Sequence, residues 1–424
     1  MASVRYSGEA AIAFWKIDLN HIVFVAKDGP HCFEGPTVNA ARLLPELSRR
    51  GVRVTALLVT EGDDLEHGPG LRASGVECRV LPRRGYAENL AHLTLTAVEE
   101  LRPSVFVPNI WIPGCVAARW VREAGVPTVA AYRSDDPFYE GIIDQFVLGD
   151  PLWAVSGLVC VSADLEDRVR RRSPLRTLTT VIPSGVMIPE KAHVHGDEFR
   201  IAYVGRFVQK QKRVLDVARA IIEALERIPH ATATFFGHGP ERGRLKTLVE
   251  GAAPAQRIEI AGTVSPQSIQ NRLQSFDVIV LLSDYEGTPG ALMDAMACGV
   301  VPICSDISGG VRELIRPGET GILAADRGHA VVDTLLDLDR NPDHRAEIGR
   351  RAREHIANRF SLNRCADLWE ALCERLISEA GPSKSLVVPA RISLPEVAPT
   401  LAPHLSRKPP LLKRLYGGLK RRLN

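Results

Sequence analysis

The sequence predicts an α/β protein made of two doubly wound, Rossmann-like domains that face a central cleft. Short apolar runs rich in β-branched residues alternate with stretches of helical periodicity along most of the chain. The chain has 424 residues, more than one compact core usually holds. Ligands of such parallel sheets bind at the carboxyl ends of the strands, so polar residues that follow strands are the candidates for function.

The first half opens with a strand–helix–strand unit: a strand over 21–26, a helix over 37–50 and a strand over 52–59. Pro45 is expected to kink this helix. The apolar runs that follow predict four further strands, at 105–108, 127–131, 157–161 and 181–186.

The second half repeats the alternation. Its predicted strands lie at 200–204, 231–236, 257–261, 278–282 and 301–304, and its clearest helices at 214–227 and 239–250. We therefore divide the chain into a first domain (1–190), a polar linker (191–198), a second domain (199–360), helices that cross back to the first domain (361–380) and a Pro-rich basic tail (381–424).

The tail has two parts. Residues 381–410 are rich in Pro and Ser and are expected to be flexible or extended. Residues 411–423 are basic with an apolar stripe, which fits either a helix on an anionic membrane surface or a solubilising tail.

Composition removes several classes of protein. With 45% hydrophobic and 24% charged residues the chain can build a packed core, and a net charge of +3 is too small for a nucleic-acid binder. The eight cysteines form no Cys-x-x-Cys pair and no cluster with histidines, so neither a metal site nor a disulfide framework is predicted. No run is long enough to span a membrane and no signal peptide stands out, so we expect a cytoplasmic protein, at most peripheral on the inner face of a membrane.

Cations follow the first strand of the second half. Gly205 and Arg206 come directly after the strand at 200–204, and Lys210 and Lys212 precede the next helix. A departing diphosphate needs such cations, because Arg offers a fork of donors and Lys a point charge. A structural ion pair of Arg206 explains these residues at least as well.

Two glycine-rich turns also follow strands. Phe236-Gly-His-Gly-Pro240 contains His238 and Gly239, and Phe33-Glu-Gly-Pro-Thr37 contains Gly35. Glycine lets a backbone approach a ligand closely. An ordinary connecting turn explains the first stretch equally well, and an ordinary strand-to-helix loop explains the second almost as well.

The third candidate is the stretch that begins at Ser283. It predicts a helix with Thr288 as N-cap, Pro289 in the first turn and an end at Gly299. The amides of Gly287, Thr288 and Gly290 would form an anion site at its start. Glu286 would lie at the rim, with Asp294 roughly 9 Å along the helix axis. The alternative is that both acids are structural. If instead both bind one ligand, that ligand must be long enough to reach from Glu286 to Asp294.

These motifs together resemble one family. Gly205-Arg206…Lys212, Gly237-His-Gly-Pro240, Ala261-Gly-Thr-Val264 and Glu286-Gly-Thr-Pro…Asp294-Ala-Met-Ala-Cys-Gly299 are similar to motifs of the family-four retaining glycosyltransferases of GT-B fold (glycosyl transferases group 1). The resemblance extends over about residues 20–378. It is specific in the second half and looser in the first.

The resemblance implies a set of roles. Arg206 and Lys212 would stabilise the leaving diphosphate, Glu286 would hold donor-sugar hydroxyls and Asp294 the ribose. Thr263 and Val264 would lie near the base. The other donor-binding residues implied are Gly35, Gly205, His238, Gly239, Gly287, Thr288, Pro289 and Gly290.

Three features depart from the family's usual pattern. Asp294 stands where Glu is usual, and Gly35-Pro36 replaces paired glycines. The usual histidine after a first-domain strand is absent, which leaves Arg133, Ser134 or Asp135 on the acceptor side.

The implied reaction moves a sugar, a hexose in most of the class, from a nucleoside diphosphate sugar to a hydroxyl of a glycan, lipid or small molecule, as in polysaccharide biosynthesis. The nucleoside diphosphate sugar is a co-substrate, and neither metal nor other cofactor is expected. A sugar-nucleotide 2-epimerase of the same architecture and a non-catalytic nucleotide-sugar-binding protein are the alternatives.

Overall fold

The computed structural model describes residues 19–30, 32–172, 177–193, 198–266 and 268–406. These residues form two parallel sheets, each flanked by helices. The first sheet has seven strands in the order β3-β2-β1-β4-β5-β6-β7. They are β1 His21–Lys27, β2 Arg53–Thr60, β3 Glu77–Pro82, β4 Val105–Asn109, β5 Thr128–Tyr132, β6 Gly157–Cys160 and β7 Leu178–Val181.

Six helices connect these strands: α1 Gly35–Arg49, α2 Gly68–Ala73, α3 Ala87–Leu101, α4 Ile112–Glu123, α5 Pro137–Phe146 and α6 Ala163–Arg170. The strand order reverses between β1 and β4. In open α/β sheets such a reversal leaves a crevice at the carboxyl ends of the two strands.

The second sheet has six parallel strands in the order β10-β9-β8-β11-β12-β13. They are β8 Phe199–Val204, β9 Ala231–Phe236, β10 Ile258–Gly262, β11 Val278–Leu281, β12 Val301–Ser305 and β13 Ile322–Ala324. Its helices are α7 Gln209–Lys212, α8 Val214–Arg227, α9 Arg242–Glu250, α10 Ile269–Leu273, α11 Gly290–Ala297, α12 Val311–Leu314, α13 His329–Arg340, α14 Pro342–Arg359 and α15 Leu362–Glu379.

Three strands differ from the sequence prediction. No strand was predicted at β3 or β13, and the strand predicted at 181–186 lies earlier, at β7. β3 is a half-exposed edge strand with charged Glu77 and Arg79 in it, so it lacks the continuous apolar run of a central strand. Val186 makes only a single bridge, to Ser361.

The chain crosses between the two halves twice, and the crossings lie side by side. The amide of Val186 donates to the carbonyl of Phe360 at 3.0 Å, and the amide of Leu362 donates to the carbonyl of Val186 at 2.9 Å. Helix α15 then packs on the first sheet, where the ring of Trp369 meets Phe24 edge to face, 6.0 Å between centroids.

An extended C-terminal segment follows α15, and the structure describes it to residue 406. Where the sequence predicted a flexible or extended stretch, the backbone is largely extended and packed on the first half. The amide of Lys384 donates to the carbonyl of Ala124 at 2.8 Å, and the amide of Ala87 donates to the carbonyl of Ser406 at 2.8 Å. Leu401 is fully buried in an apolar cluster with Ile142 and other side chains of the first half.

Two expectations fall outside the described residues: the basic stretch at 411–423 and part of the linker, 194–197. Within the described part of the chain, no helix is both long and apolar enough to cross a membrane. The eight cysteines are all free thiols, and all but Cys78 are buried.

Candidate functional site

A cavity of about 430 Å³ lies between the two halves, at the carboxyl ends of both sheets. Most of the residues proposed from the sequence line it. From the first half these are Gly35, Arg133 and Ser134; from the second half they are Gly205, Arg206, Lys212, Val264, Glu286, Gly287, Thr288, Pro289, Gly290 and Asp294.

Four proposed residues do not line this cavity: Asp135, Thr263, His238 and Gly239. The Asp135 carboxylate lies 3.4 Å from the Arg168 guanidinium. Thr263 and His238 are exposed. Gly239 has a φ of +159°, and a Cβ there would lie 2.4 Å from the carbonyl oxygen of Phe207, so this turn serves close packing of backbone on backbone.

Glu286 and Lys212 form an ion pair at the centre of the cavity. The hydroxyl of Ser283 donates a second hydrogen bond to the same Glu286 oxygen, at 2.7 Å. Both charged side chains are largely buried, with 15% of Lys212 and 10% of Glu286 exposed. The pair therefore holds one cation and one acid in fixed positions beside the start of α11.

The loop that carries Arg206 and Lys212 is fastened to the rest of the second half. Tyr203 donates its hydroxyl proton to the carbonyl of Arg206 at 2.9 Å, and Arg206 donates to Gln211 Oε1 at 2.7 Å. Gln211 in turn donates to the carbonyl of Tyr285 at 3.2 Å. Lys210, by contrast, is exposed and lies outside the cavity lining.

The start of α11 differs from the prediction by one residue. Pro289 is the N-cap and Gly290 the first helical residue. The hydroxyl of Thr288 does not cap the helix; it donates to the carbonyl of Val161 in the first half, at 3.0 Å. A contact between the two halves has replaced the local cap.

Gly287 brings the two halves into backbone contact. A Cβ at this position would lie 1.7 Å from the carbonyl oxygen of Arg133, closer than any real contact. The glycine is thus required by the close approach of the first half, and it sets the width of the cavity here.

Asp294 is paired across the cavity. Its carboxylate accepts from the Arg42 guanidinium of α1 at 3.0 Å and from Gln270 Nε2 at 3.0 Å. Burial raises the pKa of Asp294, which its two partners oppose. The two acids of the motif are therefore in different surroundings: the described partners of Glu286 belong to its own half, whereas those of Asp294 come from both halves.

Arg133 is a buried cation without a counter-ion among the described residues. It is 8% exposed, and its Nε and one Nη have no hydrogen-bond partner there. Burial lowers the pKa of its guanidinium, because the charged form is poorly solvated. A buried charge of this kind is costly unless paired, so this part of the cavity suits an anionic ligand.

Sequence reasoning missed several lining residues, among them Arg42, Gln211 and Tyr139. Arg42 lies in the middle of a helix and Gln211 within a four-residue helical turn, so neither follows a strand directly. A search restricted to polar residues that follow strands cannot find side chains that reach the cavity from the side of a helix.

Two family models match the chain in succession. The model described as Glycosyltransferase Family 4 matches residues 33–188, and the model described as Glycosyl transferases group 1 matches residues 188–355. Together they run from residue 33, just after β1, to residue 355 within α14.

Curated relatives of the chain are named glycosyltransferases. The chain is 32% identical over 324 residues to a putative colanic acid biosynthesis glycosyltransferase, WcaL, of Escherichia coli, an alignment that covers 69% of this chain and 78% of that protein. It is 29% identical over 189 residues to the N-acetyl-alpha-D-glucosaminyl L-malate synthase of Bacillus anthracis, which covers 44% and 46%. That match, and one to the Salmonella typhimurium WcaL at 39%, span less than half of the relative.

Solved structures show the same fold. Anabaena HepE in complex with UDP superposes with a TM-score of 0.66 at 16% identity, covering 83% of this chain and 99% of that one. Sucrose-phosphate synthase of Thermosynechococcus elongatus gives a TM-score of 0.67 at 19% identity, covering 85% and 99%. The predicted α/β architecture, two Rossmann-like domains in the GT-B arrangement, is confirmed.

Proposed function

The chain belongs to the glycosyl transferases group 1 family, and on that premise we propose that it transfers a sugar from a nucleoside diphosphate sugar to an acceptor hydroxyl, with retention of the anomeric configuration. One observation supports the proposal most directly. The cavity between the halves gathers Arg206, Lys212, Arg133 and the start of α11 around a single space.

These groups suit a departing diphosphate. Three cationic side chains and the amides at the start of α11 would stabilise negative charge as the sugar–oxygen bond breaks. Arg133, expected on the acceptor side, is here proposed to face the diphosphate, because it lines the same cavity as Arg206 and Lys212. Lys212 enters the reaction already fixed by Glu286, so little reorganisation is needed when charge develops. Charge stabilisation of this kind requires no metal ion, and we propose none.

The acceptor would attack from the face that the diphosphate leaves. The new bond joins the acceptor oxygen to the anomeric carbon, the bond from that carbon to the diphosphate oxygen breaks, and the acceptor proton passes to the departing phosphate. Glu286 would accept hydrogen bonds from donor-sugar hydroxyls and orient the ring. No residue of the chain is proposed as a nucleophile.

Asp294 would bind the ribose at the other end of the donor. Because Arg42 and Gln270 hold its carboxylate here, ribose hydroxyls would join or replace these partners. UDP is the nucleotide we propose, because two structural neighbours, Anabaena HepE and Staphylococcus aureus TarM, were solved with UDP. The expected location, cytoplasmic and at most peripheral to a membrane, stays a prediction.

The test uses purified protein and a panel of UDP, GDP and ADP sugars. A donor should raise the melting temperature, since it binds the folded state alone, and should be consumed slowly by water without an acceptor. An NMR spectrum of the product of transfer would report the anomeric configuration. Formation of a C2 epimer without acceptor would contradict the proposal in favour of an epimerase, and tight donor binding with neither hydrolysis nor transfer to any glycan would contradict catalysis.

A further inference from the structure

A second cavity, of about 830 Å³, opens beside the first, in the crevice between β1 and β4. Arg206, Glu34, Pro36 and Tyr139 line both cavities, so the two spaces adjoin at the guanidinium of Arg206. A ligand in the second cavity would therefore reach the position where the diphosphate is expected to depart.

The C-terminal segment forms one wall of this second cavity. Pro403, His404, Leu405 and Ser406 all line it. They lie beyond residue 355, where the match to the family models ends. The buried side chain of Leu401 and the hydrogen bond from Ala87 to Ser406 hold the wall in place.

Two polar groups at the cavity have no partner among the described residues. Asn109, at the end of β4, is 2% exposed, yet its Oδ1 accepts no hydrogen bond there. It also has a φ of +54°, an unusual conformation outside glycine. The indole Nε1–H of Trp111 is likewise buried and unpaired. Buried polar groups are rarely left unsatisfied. A ligand in this cavity could supply a donor for Asn109 Oδ1 and an acceptor for Trp111 Nε1–H.

Aromatic faces and cations complete the lining. Trp111, Phe138, Tyr139 and His404 contribute rings, and Phe138 meets His404 edge to face at 4.9 Å. Arg83 and Arg84 both pair with the single carboxylate of Glu61, so this group of three side chains carries one net positive charge. Lys27 is balanced by Glu34.

We propose that the C-terminal segment at 403–406 completes the acceptor pocket expected in the first half, and that this pocket takes a saccharide carrying an anionic group, a phosphate or a carboxylate. The assignment as an acceptor site rests on the proposed glycosyl transfer. Sugar hydroxyls would satisfy Asn109 Oδ1 and Trp111 Nε1–H, the rings would pack on the sugar faces, and Arg83 with Arg84 would bind the anion through charge-assisted hydrogen bonds.

The test is a titration of the full-length protein, with and without UDP, followed by saturation-transfer NMR. The probes are glucuronic acid and glucose 1-phosphate against glucose, and a citronellyl-diphosphate-linked glucose as the lipid-borne form. We expect the anionic sugars to bind about tenfold more tightly than glucose, the factor that one exposed charge-assisted hydrogen bond supplies. If the lipid-linked probe binds at least tenfold more tightly again, the anion is the head of a lipid; if it binds like glucose 1-phosphate, a free sugar phosphate suffices.

A double variant and its matched control locate the binding. Arg83→Ala with Arg84→Ala should abolish the preference for anionic sugars. Arg350→Ala with Arg351→Ala should not, because these two arginines lie on the exposed face of α14, outside the cavity, where they pair with Glu347 and Arg350 also with Glu354. Equal losses in the two double variants, or anionic sugars that bind no better than glucose, would overturn the proposal.

His404→Ala tests the C-terminal wall, and Asn109→Leu tests the unpaired side chain at the end of β4. Each should weaken binding of glucose 1-phosphate about tenfold while the melting-temperature shift given by UDP is unchanged. If binding of the sugar survives His404→Ala, the wall is not part of the site, and if it survives Asn109→Leu, Asn109 does not bind the sugar. If none of UDP, GDP and ADP shifts the melting temperature of the unaltered protein, the proposed transfer fails on its own, whatever the sugars do.

Discussion

Arg42 of the first half and Asp294 of the second lie 3.0 Å apart, with 14% and 8% of their side chains exposed. The helix that carries Asp294 begins beside the proposed diphosphate position. The ion pair therefore crosses the cleft at the end of the expected donor that lies away from the diphosphate. The acid proposed to bind the donor and the contact between the two halves therefore involve the same carboxylate.

Removal of Asp294 and removal of Arg42 should affect the affinity for the donor differently. Asp294→Ala should weaken binding of UDP-sugar about tenfold, since hydrogen bonds to a charged group are lost. Arg42→Ala should not weaken it, because it frees the carboxylate for the ribose. Isothermal titration with the donor would decide. A loss of affinity in both variants would mean that Arg42 itself binds the nucleotide.

The same pair should couple the stabilities of the two halves. Either single change leaves a buried charge unpaired and should lower the free energy of unfolding by about 3 kcal/mol. Arg42→Ala combined with Asp294→Ala should cost less than the sum of the two single changes. Urea unfolding of the unaltered protein, the two single variants and the double variant would measure the four free energies of unfolding. If the losses in the single variants add up to the loss in the double variant, the ion pair contributes nothing.

Lys212 and Arg206 should act on turnover more than on donor binding. Lys212→Met and Arg206→Ala are each expected to lower kcat about 10²-fold, the effect typical of removing one preorganised charge. Lys210→Met is the matched control, because Lys210 is exposed and two residues away from Lys212. Turnover that stays unchanged in the first two variants, with donor binding intact, would remove both from the catalytic set.

Gly287 should not tolerate even a methyl group. Gly287→Ala would place a Cβ 1.7 Å from the carbonyl oxygen of Arg133, so the halves must separate locally. We expect a destabilisation of about 2 kcal/mol and at least a tenfold loss in kcat/KM. Gly243→Ala in α9 is the control, since nothing lies within 4 Å of its Cβ position and it is outside the cavity. Equal behaviour of the two variants would show that the contact is not tight in solution.

His21 should make the first half sensitive to acid. Burial lowers its pKa from 6.5 to about 4, and its ring nitrogens bond Thr55 Oγ1 at 2.9 Å and the carbonyl of Leu101 at 3.1 Å. Below pH 6.5 the unfolded chain takes up a proton that the folded chain does not, so stability falls as the pH drops towards 4.

The size of this effect can be measured. Between pH 7.5 and pH 5 proton uptake by His21 in the unfolded chain should lower the free energy of unfolding by roughly 2 kcal/mol. His21→Gln should reduce the fall in the urea unfolding free energy by that amount, whereas His329→Gln, at an exposed position, should leave it as it was. An undiminished fall in the His21 variant would assign the acid sensitivity to other groups.

Much of the central cavity follows from the sequence, because polar residues that come directly after buried strands converge at one edge. Arg206 and Glu286 follow this rule, and Asn109, the last residue of β4, fits it as well although the sequence prediction does not include it. Arg42 could not be found, since its partner belongs to the other half and no local pattern records how two sheets face one another.

Where the structure departs from local sequence patterns, tertiary contacts have replaced local ones. Thr288 has the right chemistry for an N-cap, yet its hydroxyl donates to Val161 across the cleft. The backbone of Gly239 packs on that of Phe207, and the donor-binding role expected of His238 and Gly239 stays a prediction. The extended chain at 381–406 has no periodicity, and its order comes from packing on the first half.

The paired crossings at Val186 and Phe360 restrict how the protein can move. Because backbone hydrogen bonds join the two connections, the halves cannot easily slide past each other or twist apart at that point. Rotation about the line through the crossings is the motion left, and it must break the contacts of Arg42 with Asp294 and of Thr288 with Val161. A small rotation about an axis at residue 186 then gives the largest displacement at the outer edge of the cleft, where the proposed substrates would enter.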